Sequence, residues 1–253
     1  MILSRTDWST GASWFTFKSS FDSIDHQHSD ANGIGFYRNG DWLTKPMAGN
    51  GDLVGGSDYQ NTLSIENSGT SSFGQWRDEI AHGSQFGYMP SAVPQGIVHS
   101  FGPGFAYIQS VVTSLYNNAS ANANDVAHAS RSVIYLKPDV VVSLERASSL
   151  TPGHSKTSFL NVPAQPVING TSATVTTTSS QQLAYDALLP LNASLTTSQI
   201  GSISNQAAAM EPMTYRIASE DTSKPLTCQF LNVLQGVDAG KTKLAVSLIQ
   251  SSA

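Results

Sequence analysis

Charge is scarce in this chain: Asp, Glu, Lys and Arg make up only 12% of 253 residues. Coiled coils and long helical bundles lean on Ala, Glu, Lys, Leu and Arg, so that scarcity excludes them. The net charge is −5 and no cluster of Lys or Arg is present to neutralise a run of phosphates, which excludes nucleic acid as a partner. Cys228 is the only cysteine, so neither an intrachain disulfide nor a Cys-based zinc site is available. Within the apolar run from Leu226 to Leu234 it reads as a small buried hydrophobe. No apolar run approaches the ~18 residues of a membrane span, and Met1 to Trp8 lacks the basic-then-apolar order of a secretory leader. No Gly-x-Ser-x-Gly elbow and no Gly-rich phosphate loop occurs.

Small hydroxyls take the place of charge. Ser and Thr together fill 57 of the 253 positions, and four Trp, eight Tyr and ten Phe supply the bulk for a packed core. Ser132 to Leu136 and Val140 to Glu145 are apolar and β-branched, and Lys137-Pro138-Asp139 between them reads as the turn of a hairpin. Ser172 to Thr178 alternates Ala, Val and Thr. Thr214 to Ala218, Leu226 to Leu234 and Lys243 to Ile249 extend the series of strands. Asn117 to Ala129 reads as an exposed loop, and the stretch from Gln199 to Met213 as a short helix or a loop. Short strands punctuated by Gly, Pro, Asn and Asp predict an all-β fold with little helix, a large two-sheet antiparallel β-sandwich in one domain over residues 1–253. The exposed edges of such sheets leave a homodimer open.

The densest chemistry lies between Ile24 and Leu43. Asn39-Gly40 is a favoured two-residue hairpin turn between a strand ending at Arg38 and a return strand opening at Asp41. On a strand, His26, His28 and Asp30 would share one face. Two imidazoles and a carboxylate there suit either zinc or acid–base work, and a pair of surface histidines before a turn would show the same spacing. Further on, Gln75-Trp76-Arg77 and His82 combine a flat ring with a guanidinium, the pairing a sugar-binding surface uses, although a loop with one packed Trp has the same pattern. The clustered Asp25, Asp30, Asp41, Asp52 and Asp58 leave two-carboxylate glycoside hydrolysis open.

Asp25-His26-Gln27-His28-Ser29-Asp30, followed by Phe36-Tyr37-Arg38-Asn39-Gly40-Asp41-Trp42-Leu43, resembles the opening of the C-terminal β-sandwich domain of heparinase II/III-type polysaccharide lyases, which include alginate lyases. Four later pieces resemble that family in the same order: Asp58 to Ile65, Arg131 to Val142, Leu183 to Leu195, and Phe230 to Leu234. The resemblance implies β-elimination on uronic-acid-containing polysaccharide: the carboxylate is neutralised, the C5 proton removed and the 4-linked oxygen expelled. It implies a catalytic His26, a cleft that Asp30, Tyr37, Arg38 and Gln60 help to line, and a place for His28 at a zinc. It also implies an exported or periplasmic bacterial location.

The sequence departs from the family pattern in two ways. Pro46 stands where the family's zinc Asp is expected, and Gln60 where its zinc His is expected. Proline has no ligand atom and an amide oxygen is a poor zinc ligand beside imidazole, so zinc is not expected and His28 becomes a hydrogen-bonding residue with Gln60 as its partner. The family's helical toroid, which carries the rest of the catalytic set, is absent from this chain. Two functions follow as alternatives. One is a lyase β-domain inactive by itself and completed by an N-terminal helical domain. The other is a non-catalytic carbohydrate-binding or structural module with a degraded metal site.

Overall fold

The computed structural model describes residues 1–19, 28–48, 56–68, 83–86, 95–200 and 211–249. Three antiparallel sheets carry the fold. The first runs in chain order: β1 (Ile2–Arg5), β2 (Ser13–Lys18), β3 (Gly33–Arg38) and β4 (Asp41–Thr44). The second is ordered β14 (Ser194–Gln199), β15 (Tyr215–Glu220), β10 (Lys156–Val162) and β5 (Leu63–Ile65). The third has eight strands: β11 (Val167–Asn169), β12 (Ser172–Thr176), β13 (Gln181–Leu189), β16 (Thr227–Asp238), β9 (Val140–Ser149), β8 (Val126–Leu136), β7 (Phe105–Val111) and β6 (Gln95–Gly102).

Alternation decides which face of each strand is buried. On β2, Phe15 and Phe17 point inward, on β3 Ile34 and Phe36, on β4 Leu43, all at 2% exposure or less. They meet Ile108, Val133, Tyr135, Leu183 and Leu234 of the eight-stranded sheet and Leu160, Val162 and Ile217 of the second sheet in one core. The arrangement is β-sandwich-like, as expected, but one layer is built from two four-stranded sheets rather than one. A buried amide stitches them: Asn61 donates to Ile34 O at 2.9 Å and to Thr44 Oγ1 at 2.8 Å, and its own Oδ1 accepts from Asn161 N at 2.5 Å.

Several sequence expectations are met by these elements. The turn at Asn39-Gly40 has φ of 47° and 95°, the left-handed backbone a two-residue hairpin loop requires. The predicted hairpin around Lys137 to Asp139 joins β8 to β9. Cys228 is 4% exposed, and burial pushes its thiol up to about 12. Others are corrected. Lys243 to Ile249 forms no strand, because Leu244 is held by the Gln235 side chain at 3.0 and 2.9 Å and not by a neighbouring strand. Asn117 to Ala129 is not an exposed loop: a short 3₁₀ turn runs from Ala119 to Ala121, Ala121 and Ala123 are fully buried, and β8 begins at Val126. Residues 201–210 of the predicted helix or loop lie outside the described residues. No helix among the described residues is long and apolar enough to cross a membrane.

Candidate functional site

The segment from His28 to Asp30 feeds into β3 and is not strand, so the same-face argument does not hold for His28 and Asp30, and His26 lies outside the described residues. A buried glutamine fixes it instead. Ser29 Oγ donates to Gln85 O at 2.7 Å, Ala31 N donates to Gln85 Oε1 at 3.0 Å, and Gln85 Nε2 donates back to Ala31 O at 2.9 Å. Opposite it, a 3₁₀ turn over Ser57–Tyr59 ends at Gln60, whose side chain reaches His28: Nε2 lies 3.2 Å from His28 Nδ1 and 3.5 Å from Met47 O. With the amide donating, Nδ1 is the acceptor and the neutral ring carries its proton on Nε2. The expected pairing of His28 with Gln60 is present, made between a loop and a turn rather than across strands.

Asp30 is buried, and burial raises its carboxyl above the usual range against the pull of Lys18, whose Nζ is 2.7 Å away. Both line a cavity of about 440 Å³, together with Thr16, Trp42, Lys45 and Pro46. Lys45 Nζ is 2.6 Å from Glu211 Oε2. That carboxylate is itself buried and also accepts from Ala48 N at 2.6 Å and, through Oε1, from Met213 N at 2.9 Å. Behind it Met47, Ile200 and Met213 form a small apolar cluster against which Trp42 and Tyr59 pack.

The structure therefore brings together His28, Asp30 and Gln60 near one end of β3, with Pro46 at the same cavity. It separates Arg38, which stands at the other end of β3 and is engaged by Asp139 at 2.9 Å, Asp238 at 2.7 Å and Gln181. Tyr37 lies between Trp14 and Trp42, with ring centroids 5.5 and 5.3 Å away. His26, Trp76, Arg77 and His82 lie outside the described residues. Lys18, Trp42, Lys45 and Glu211 were not singled out from the sequence. Trp42 carried a signal, one residue into the return strand of a predicted hairpin, but Lys45 and Glu211 stand 166 positions apart and share no motif. Among the described residues, no three His, Cys, Asp or Glu side chains are grouped to hold a metal.

No protein-family profile matches the chain, and a search of curated proteins finds no match. Solved structures do match. The heparan sulfate lyase HepC of Pedobacter heparinus superposes with a TM-score of 0.68 at 14% identity, over 95% of this chain and 35% of that one. A mutant of the same enzyme gives 0.69 at 14% identity with the same coverage. A heparinase III gene product gives 0.67 at 12% identity over 94% of this chain and 35% of its own. At that identity the likeness is one of fold, and this chain spans about a third of the length of those lyases: nearly its whole length is built like one part of a heparan sulfate lyase.

Proposed function

We propose that the chain is the β-sandwich part of a polysaccharide lyase that acts on uronic-acid-containing polysaccharide by β-elimination, contributing His26 and cleft residues to a site completed by a helical domain. The observation that carries this reading is the fold match along 95% of the chain to enzymes more than twice its length. The elimination needs a donor or cation at the uronate carboxylate, a base for the C5 proton and an acid for the leaving oxygen. On this reading His28 is a positioning residue, its ring held by Gln60 at 3.2 Å.

The residues present do not fit the zinc that the family resemblance implies. The Gln60 amide is turned to the His28 ring nitrogen, and Pro46 offers no donor atom. The same observation favours a second reading, a carbohydrate-holding or structural module that keeps the fold without catalysis.

Ultraviolet absorbance of the new double bond separates the two. The chain alone, and a longer protein containing it with a helical domain, are incubated with heparan sulfate, heparin and alginate. Turnover by the longer protein only is the expected result. Robust turnover by the chain alone overturns the claim of incompleteness, and none from the longer protein favours the module.

A further inference from the structure

We propose that the outward face of the β1–β4 sheet is a binding surface for an acidic polysaccharide chain, an aromatic row leading into the cavity at Lys18 and Lys45. Register builds the row. Arg5 is paired with Trp14, Trp14 with Tyr37, and Tyr37 with Trp42, so one line of side chains crosses all four strands. The alternate positions Phe15, Phe36 and Leu43 fill the core, so the row faces outward. Its rings follow at 5.5 and 5.3 Å with tilts of 50° and 72°, forming a ridge rather than a flat plate. The Arg5 guanidinium stacks over Trp14 at 5.4 Å and over Trp8, which is 87% exposed. Three of the four tryptophans in the chain thus belong to this one face.

Glycines let neighbours close in beside the row. A Cβ on Gly35 would stand 2.6 Å from Thr16 Oγ1 and 3.3 Å from the Trp42 ring, and one on Gly33 would stand 2.8 Å from Asp30 O. Gly33 lines the cavity of about 440 Å³ beside Trp42 and Lys18. The charges complement an anionic ligand. In each ion pair the lysine is the more exposed partner: side-chain exposure is 33% for Lys18 against 11% for Asp30, and 15% for Lys45 against 1% for Glu211. An approaching carboxylate or sulfate meets ammonium first. Aromatic rings take the apolar faces of pyranose rings, and Arg5, Lys18 and Lys45 take the anionic groups. Cross-strand aromatic contacts also stabilise a sheet, but that role does not require the exposed Trp8 ring or the outward lysines. The choice of an acidic glycan rests in part on the lyase reading. The surface itself would serve a non-catalytic module equally.

The test is calorimetric titration of the full chain with heparan sulfate and alginate oligosaccharides, and with a neutral β-glucan oligosaccharide of equal length. Expected are binding of the acidic chains that weakens with added salt, and no binding of the neutral one. Trp42→Ala and Lys18→Gln should each lower affinity about tenfold, with Trp8→Ala lowering it severalfold at unchanged melting temperature. Val167→Ser, on edge strand β11 of the eight-stranded sheet, should leave it unchanged. Should Trp42→Ala not fold, Trp8→Ala and Lys18→Gln decide. No binding of either acidic chain, equal binding of the neutral glucan, or unaltered affinity in the folded variants overturns the proposal. The readout is binding without turnover: a chain that binds yet gives no unsaturated product in any longer protein defeats the lyase reading and leaves this one standing.

Discussion

Arg131 shows how much a single side chain carries here. It is 2% exposed and donates to Asn32 O, to Asn61 O at 2.6 Å and to Glu145 Oε1 at 2.5 Å, joining β8 to the two loops that bring His28 and Gln60 into place. Removing it leaves Glu145, itself 1% exposed, as an uncompensated buried charge. Arg131→Ala should cost about 3–5 kcal/mol in urea unfolding, and Arg131→Lys should recover less than half, because a point charge cannot span the fork of acceptors. A loss under about 1 kcal/mol would contradict this. Asp30 predicts a pH effect. Burial raises its pKa, so the folded state holds this proton more tightly than the unfolded chain does. Its contribution is then most favourable below the ordinary carboxylate range, declines as pH rises through the folded pKa, and is flat above it. Asp30→Asn should remove that decline from melting curves taken between about pH 3 and about pH 8, and superimposable curves for variant and parent would refute the assignment. Glu66 and Asp238, whose carboxyls are shifted down, bend both curves alike and cancel in the difference. Of these residues, the pairing of His28 with Gln60 was legible in the sequence, since Gln60 stood where a metal ligand was expected. The load on Arg131 was not, since two of its acceptors, Asn32 O and Asn61 O, lie 99 and 70 positions away along the chain.

At the scale of elements, the first and third sheets approach closely at Gly236 in β16. A Cβ there would lie 2.6 Å from Arg38 Cδ, 3.0 Å from Leu43 Cδ1 and 3.2 Å from Phe36 Cζ. Gly236→Ala should therefore cost about 1–3 kcal/mol by forcing β3 and β4 off β16. Gly104→Ala, where a Cβ meets nothing within 4 Å, should change stability by no more than about 0.5 kcal/mol. Denaturant midpoints for the pair test the claim, and equal effects would defeat it. Local signals in the sequence match the elements. Asn39-Gly40 between β3 and β4, and Lys137 to Asp139 between β8 and β9, carry their turn chemistry within a few residues. The match fails where a pattern lacks a partner: Lys243 to Ile249 has apolar residues of strand type, yet the side chain of Gln235 holds it instead of a neighbouring strand.

Across the whole molecule, one core cluster draws on all three sheets, with Phe36 stacked edge-on against Tyr135 at 6.1 Å. Phe36→Ala should cost about 3–5 kcal/mol. Because the sheets share that core, tryptophan fluorescence from Trp14 and Trp42 and far-ultraviolet circular dichroism should still fall in one coincident transition. Separate midpoints would show that the first sheet melts independently. The sequence alone determined the all-β class, the two hairpins and the burial of Cys228, because each depends on alternation or turn chemistry within a few residues. Only the tertiary structure decided the splitting of one layer into two sheets, the row from Arg5 to Trp42, and the cavity that gathers Lys18, Asp30, Trp42 and Lys45 with Glu211 behind it. Those features join residues far apart along the chain through strand register and core packing, and no local periodicity encodes such a meeting.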